Sequence, residues 1–202
     1  MESVITTEGG TIKATGADGT TYVLEIPKGA LRFDIPIRMT PLAAVEGMPF
    51  GGSPLAVQLS PNGLRLVNEA KLTITPKAAI PVEQQIGFSY LGDGADVIVE
   101  TLAIDAREIV LSVPHFSGYG VAPGSERIPG AQEALDAETA QSLGGTLERQ
   151  LRNRISILLR IARQAQLLGE EVDPELWDKI RAILDEYEHD VLKPRYEAID
   201  KN

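Results

Sequence analysis

The sequence predicts an α+β protein: an antiparallel β-sandwich over residues 1–122, a linker over 123–130 and a helical hairpin region over 131–202. Three observations predict it. Up to Val121, short runs rich in β-branched and aromatic residues alternate with Gly, Pro and Asp turn signals at roughly even spacing, as the strands of a sandwich do. A Pro/Gly break follows at Ala122-Pro123-Gly124-Ser125. From Ala131 onward Ala, Leu, Glu, Arg and Gln take over, and apolar residues recur at three- and four-residue steps.

The bulk properties exclude several functions. A formal net charge of −10 argues against a nucleic-acid partner, which needs clustered Lys and Arg, and against anionic lipid. The acidity is spread over both regions, so it marks no tail or patch as an interaction site. No run of apolar residues is long enough to span a membrane. The absence of cysteine removes disulfides, thiolate metal sites and a Cys nucleophile together. With His115 and His189 as the only histidines, a multi-histidine metal centre is also excluded, and no metal or cofactor is expected. Met1 to Thr7 lacks the basic-then-apolar pattern of a signal peptide. The expectation is a cytoplasmic protein if Met1 is the native start, or an extracellular one if the chain is a piece of an exported protein.

The strands are read in order. Gly9-Gly10 and Gly16 to Gly19 bracket Thr11 to Thr15, and the Asp18-Gly19 turn leads into Thr20 to Ile26. Ile35 to Thr40 is next, with prolines 27, 36 and 41 taken to mark edges or strand ends. After a glycine-rich loop over Gly47 to Pro54, Leu55 to Ser60 reads as a strand turned by Pro61-Asn62-Gly63. Ala70 to Thr75 alternates with Leu72 and Ile74 on one face. Ile86 to Leu91 and Asp96 to Glu100 flank a Gly92-Asp93-Gly94 hairpin, and Glu108 to Val113 follows. Val113 to Val121 closes the β region.

The helices have equally explicit signals. Leu147, Leu151, Ile155, Leu158, Ala162 and Ala165 form one apolar face, predicted to be buried, of a helix that begins near Gly145 or Thr146 and stops at Gly169. Asp173-Pro174 starts a second helix, whose apolar face is Leu176, Ile180, Ile183, Tyr187 and Val191. Pro194 is expected to kink or end it. The short connection makes the two helices an antiparallel hairpin, with Ala131 to Leu143 as a possible third helix. Arg149, Arg152, Arg154, Arg160 and Arg163 read as a solvated face paired with Glu148 and others, or as a surface for a partner helix. Trp177 reads as packing the hairpin against the sandwich or another subunit.

Five β-region segments in order carry a family resemblance. They are Gly9-Gly10-Thr11-Ile12, Leu24 to Leu31 with its Ile-Pro-Lys-Gly-Ala-Leu turn, Ile37 to Pro41, Val57 to Leu64, and His115-Phe116-Ser117. Over about residues 4–122 the chain resembles ZU5 domains, which implies a β-sandwich and, for most members, an interaction module without catalysis. A subset of that family cuts itself between Phe and Ser of a His-Phe-Ser motif. That resemblance implies Ser117 as nucleophile, the bond between Phe116 and Ser117 as scissile, and His115 as a proton-transfer residue. Two features depart from the subset: no second β-domain follows, and no histidine precedes His115.

The residues permit such chemistry. Ser117 Oγ would attack the Phe116 carbonyl carbon, the amide nitrogen would leave as an ester forms, and water would hydrolyse the ester. The hydroxyl needs a base, and imidazole titrates near neutrality. In a flat strand His115 and Ser117 point to one face with Phe116 opposite, and Gly118 lets the backbone bend. Glu100 and Asp96 in the preceding hairpin could help polarise the site. A satisfied strand serine beside a surface histidine is the plainer reading. Tyr119 reads as packing and Pro114 as edge protection. Asp93, Asp96, Glu100 and Asp105 lack the spacing of a calcium loop, and the glycines at 47–53 lack the lysine of a phosphate loop.

The expected function is a non-catalytic interaction or scaffold module of a larger protein. The alternative is a domain that cleaves itself once at Phe116-Ser117. The expected partner is a protein, or a second copy, bound through the helical region. Nucleic acid, membrane and small-molecule cofactors are not expected.

Overall fold

In a computed structural model, residues 1–48, 53–91, 97–100, 102, 108–124 and 147–199 are described. The chain is α+β and divides into two compact units, Met1–Glu126 and Arg127–Asn202.

Among the described residues the first unit holds ten strands in two antiparallel sheets. They are β1 (Glu2–Ile5), β2 (Gly10–Thr15), β3 (Thr21–Ile26), β4 (Ile35–Leu42), β5 (Leu55–Ser60), β6 (Arg65–Thr75), β7 (Gln85–Tyr90), β8 (Ile98–Glu100), β9 (Ile109–His115) and β10 (Gly118–Pro123). One sheet has the order β1-β4-β5-β10-β7-β8 and the other β2-β3-β6-β9. A single core cluster draws Ile37, Met39, Val57, Leu59, Tyr119 and Val121 from the first sheet and Ile12, Leu24, Leu72, Ile74, Leu111 and Val113 from the second. Period-2 alternation puts these residues on one face of each strand, as Leu72 and Ile74 in β6 show.

Some boundaries differ from the sequence reading. Glu2 to Ile5, where no strand is predicted, pairs with Ile35 to Arg38. Its residues are mostly exposed, so no apolar alternation marks it. β6 begins at Arg65, and its register with β9 shifts between Arg65 and Ala70, which hides the first half from a period-2 pattern. Pro36 and Pro41 lie within β4 and not at its ends. Pro41 is past the reach of β1, where β4 has a neighbour on one side only and a missing N–H costs no ladder bond. β7 and β8 are antiparallel neighbours. Their expected turn at Gly92-Asp93-Gly94 lies outside the described residues, as do the third helix over Ala131 to Leu143 and part of the loop at Gly47 to Pro54.

The second unit contains α1 (Leu147–Leu167), α2 (Pro174–Tyr187), a π-turn (Glu188–Leu192) and α3 (Lys193–Ile199). Gly169 ends α1 with φ +73°; its N–H donates to Gln166 O, and Glu170 N–H donates to Ala165 O at 2.9 Å, a Schellman closure. Asp173 caps α2, its carboxylate accepting from Glu175 N–H at 2.9 Å ahead of Pro174 at the first helical position. Leu151, Leu158 and Ala162 meet Leu176, Ile180, Ile183 and Val191 in one core, with Ile155 and Tyr187 packed against it. Arg154 pairs with Glu186 at 3.1 Å, and Glu148 receives Arg195 at 2.6 Å and the Tyr187 hydroxyl at 3.1 Å.

The second helix gives way to the π-turn ahead of Pro194, and the chain runs on helically past it as α3. Pro194 has no N–H for the carbonyl four residues back, and the chain widens into the π-turn just before it, where Lys193 N–H donates to Glu188 O. The arginine face is also not uniformly solvated. Arg160 and Arg163 are buried, as are Asn153 and Gln164, and burial pulls the Arg163 guanidinium below its ordinary pKa, with Arg160 adding to the shift. Trp177 is not buried either; it stays 38% exposed.

Candidate functional site

His115-Phe116-Ser117 is the passage from one sheet to the other. β9 ends at His115 as the outer strand of the four-stranded sheet, and β10 begins at Gly118 between β5 and β7 in the six-stranded sheet. Three backbone bonds tie the passage to the end of β5 and the β5–β6 turn. Phe116 N–H donates to Leu64 O at 2.8 Å, Gly63 N–H donates to Phe116 O at 2.8 Å, and Leu59 N–H donates to Ser117 O at 3.0 Å. The flat strand expected through residues 115–117 is therefore replaced by a bend. The backbone of Phe116 leaves the ladder with β6 and bonds to the Pro61-Asn62-Gly63 turn instead.

The side chains are placed accordingly. Phe116 is fully buried in the core, and Ser117 is fully buried as well. Ser117 Oγ donates to its neighbour's carbonyl, Gly118 O, at 3.5 Å, which is long for a hydroxyl bond. His115 is half-buried, and its ring meets Tyr119 edge-on at 6.2 Å between centroids. Glu100 Oε1 accepts from Ser89 Oγ at 2.5 Å, and Ser89 sits directly opposite Tyr119 across the β7–β10 pair.

Tyr119 is the residue that connects the others, and the sequence reading assigned it only to packing. Its hydroxyl donates to the backbone carbonyl of His115 at 2.8 Å. Burial pushes its pKa up to about 12; the Glu100 charge adds to the rise, while the bonds to Ser117 and to the His115 backbone oppose it. The phenol is therefore neutral at physiological pH and acts as a hydrogen-bonding group. The available sequence signal was spacing: a tyrosine two residues past Ser117 shares its strand face, and a hydroxyl reaching back a few residues is a known corner device of β-sandwich proteins. Gly63 was also missed as a donor, because a turn in sequence does not say whose carbonyl its N–H will meet.

Gly118 has a packing role. It lies within β10 opposite Tyr90, and a Cβ there would overlap the Tyr90 ring; Gly120 accommodates Phe88 in the same way. Both aromatic rings are buried and lie 6.2 Å apart between centroids. The two glycines make room for an aromatic pair on the neighbouring strand. Pro114 is exposed on β9, where an outer strand can accommodate a missing donor.

Chemically, the passage supplies one half of an acyl-transfer site. The Phe116 carbonyl oxygen already accepts a fixed backbone N–H from Gly63, as an oxyanion donor would require. The hydroxyl itself donates to Gly118 O at 3.5 Å, a long bond that leaves it weakly held. Among the described residues no cluster of His, Asp and Glu could hold a metal ion. Asp93, Asp96 and Asp105 lie outside the described residues.

The helical unit offers a second feature. A groove of about 730 Å³ is lined by Leu184, Tyr187, Leu192 and Tyr196 together with Glu188, Lys193 and Glu197. Leu184 is 49% and Tyr196 65% exposed. Among the described residues no helix is long and apolar enough to cross a membrane.

No protein-family model matches the chain, and no curated protein matches its sequence.

Proposed function

We propose that this chain is a non-catalytic protein-interaction module of a larger protein, built as a ZU5-like β-sandwich that carries a helical binding element. The shared core drawn from both sheets supports the sandwich, and the order of the five segments supports the family resemblance. The observation that carries the functional reading is a contrast in exposure. Ser117, the candidate nucleophile, is sealed from solvent, whereas Trp177, Leu184 and Tyr196 on the helical unit present large apolar side chains to it. A serine sealed from solvent is poorly placed to hydrolyse an ester, because the second step consumes water. Exposed aromatic and leucine side chains are the usual anchors of protein interfaces.

A denaturing gel of freshly purified protein beside the Ser117→Ala variant tests this. One intact band in both is the expected result. Two fragments in the wild type, one ending at Phe116 and one beginning at Ser117, both absent from the variant, would overturn the non-catalytic reading.

Self-cleavage at Phe116-Ser117 is the second reading, and one observation favours it. The carbonyl that Ser117 would attack is the one polarised by Gly63 N–H, and the flanking strands β9 and β10 belong to different sheets that would keep both fragments in place. His115 would then serve as the base, with Glu100 in support through Ser89 and Tyr119.

A further inference from the structure

We propose that the groove of the helical unit receives an amphipathic helix from a partner protein, apolar along one side and flanked by Lys or Arg. The proposal rests on the interaction-module reading and adds the chemistry of the partner.

The groove is a product of the π-turn. In an uninterrupted α-helix, Leu184 and Leu192, eight residues apart, would stand about 80° apart around the axis. The π-turn over Glu188–Leu192 closes through a bond spanning five residues and so takes up one extra residue. That widening brings Leu192 and Tyr196 round to the side of Leu184, and the three line one groove. Trp177 stands two turns upstream of Leu184 on the same side and is partly exposed. The hairpin does not need these residues for itself. Its own core uses Leu176, Ile180, Ile183 and Val191 on the adjoining face, with Tyr187 packed against that core as well as lining the groove. The groove therefore presents anchors at roughly one-turn intervals, the pattern that accepts one face of a second helix.

Charge selects the occupant. Glu188 and Glu197 line the groove, and the exposed carboxylates of Asp185 and Asp190 adjoin it in sequence, against one lining cation, Lys193. The other nearby cation of α3, Arg195, is already engaged with Glu148 at 2.6 Å. A second copy of this chain would approach with the same net charge of −10 and is disfavoured by mutual repulsion. A helix with cationic flanks complements the acidic rim, and the rings of Tyr187 and Tyr196 offer faces for a cation.

The test uses the full chain and two synthetic helical peptides about four turns long, with identical leucine positions and either Lys or Glu flanks. Binding is followed by calorimetry and by fluorescence of Trp177, the single tryptophan. The Lys peptide is expected to bind and the Glu peptide not. Leu184→Glu and, separately, Tyr196→Glu are expected to weaken Lys-peptide binding by about tenfold or more. Both positions are exposed, and circular dichroism should show both variants folded. The Glu188→Lys/Glu197→Lys pair should shift preference toward the Glu peptide, whereas Glu8→Lys/Glu46→Lys, the same charge change on the β unit, should not. Equal binding of both peptides, no binding of either, or indifference to the groove variants overturns the proposal. A dimer by light scattering that Leu184→Glu dissociates would put a second copy in the groove instead. Any of these failures beside a single intact band on the gel leaves the interaction reading to another surface, whereas cleavage fragments remove that reading itself.

Discussion

The hydroxyl of Tyr119 lies 2.8 Å from the backbone carbonyl oxygen of His115, four residues back along the chain, so a side chain of β10 holds the end of β9. That bond joins the backbone ties to Leu59, Gly63 and Leu64 in holding the change of sheet at Phe116-Ser117. Tyr119→Phe keeps the ring and its packing and removes only the donor. It is expected to cost about 1–3 kcal/mol, because the His115 carbonyl is left in a half-buried site without this donor. Denaturant unfolding should show a lower midpoint with an unchanged slope. A midpoint equal to wild type would show that the bond contributes nothing to holding the passage.

The same phenol makes stability depend on alkaline pH. Burial pushes the pKa of Tyr119 up to about 12, and burial together with the charge of Asp18 does the same for Tyr22, against an ordinary value of 10.0. Folding thus favours the protonated form at both sites. Their contribution is fully present below pH 10 and is lost as pH rises through about 12. Thermal melts across this window should show a steep fall in the wild type and a shallower one in Tyr119→Phe and in Tyr22→Phe. Equal slopes in all three proteins would contradict the assignment.

Gly118 and Tyr90 occupy one space on adjacent strands. Gly118→Ala is expected to destabilise the protein by about 1–3 kcal/mol or more, since the added methyl meets a ring confined on a buried face. Replacing Tyr90 by Leu in the same chain should recover part of that loss, a coupling visible in a double-mutant cycle. Strictly additive losses would mean that the clash is relieved elsewhere.

Much of this fold can be read from local pattern. The alternation of Leu72 and Ile74, the Asp173-Pro174 start and the Gly169 stop each report a choice made within a few residues, and the structure places all three as that pattern implies. Where the pattern was absent or shared between two causes, it misled. β1 carries no apolar alternation because an edge strand with exposed side chains needs none. Arg160 and Arg163 share the charge and spacing of a solvated face, and only packing decides that they are buried.

The candidate site divides in the same way. By itself the sequence determined the strand and helix periods, the capping residues, the singular position of His115-Phe116-Ser117, and the absence of thiol and multi-histidine chemistry, because these follow from residue types and short spacings. Only the tertiary structure decided that Ser117 is sealed, that the Tyr119 hydroxyl reaches back to the His115 carbonyl, that Gly63 donates to Phe116 O, and that a π-turn lines up Leu184, Leu192 and Tyr196. For the passage the reason is strand order. β10 lies between β5 and β7, which brings residues 55–58 and 85–90 against it, a juxtaposition no local period encodes. For the groove it is Pro194, whose missing N–H the chain accommodates by widening one turn instead of ending the helix.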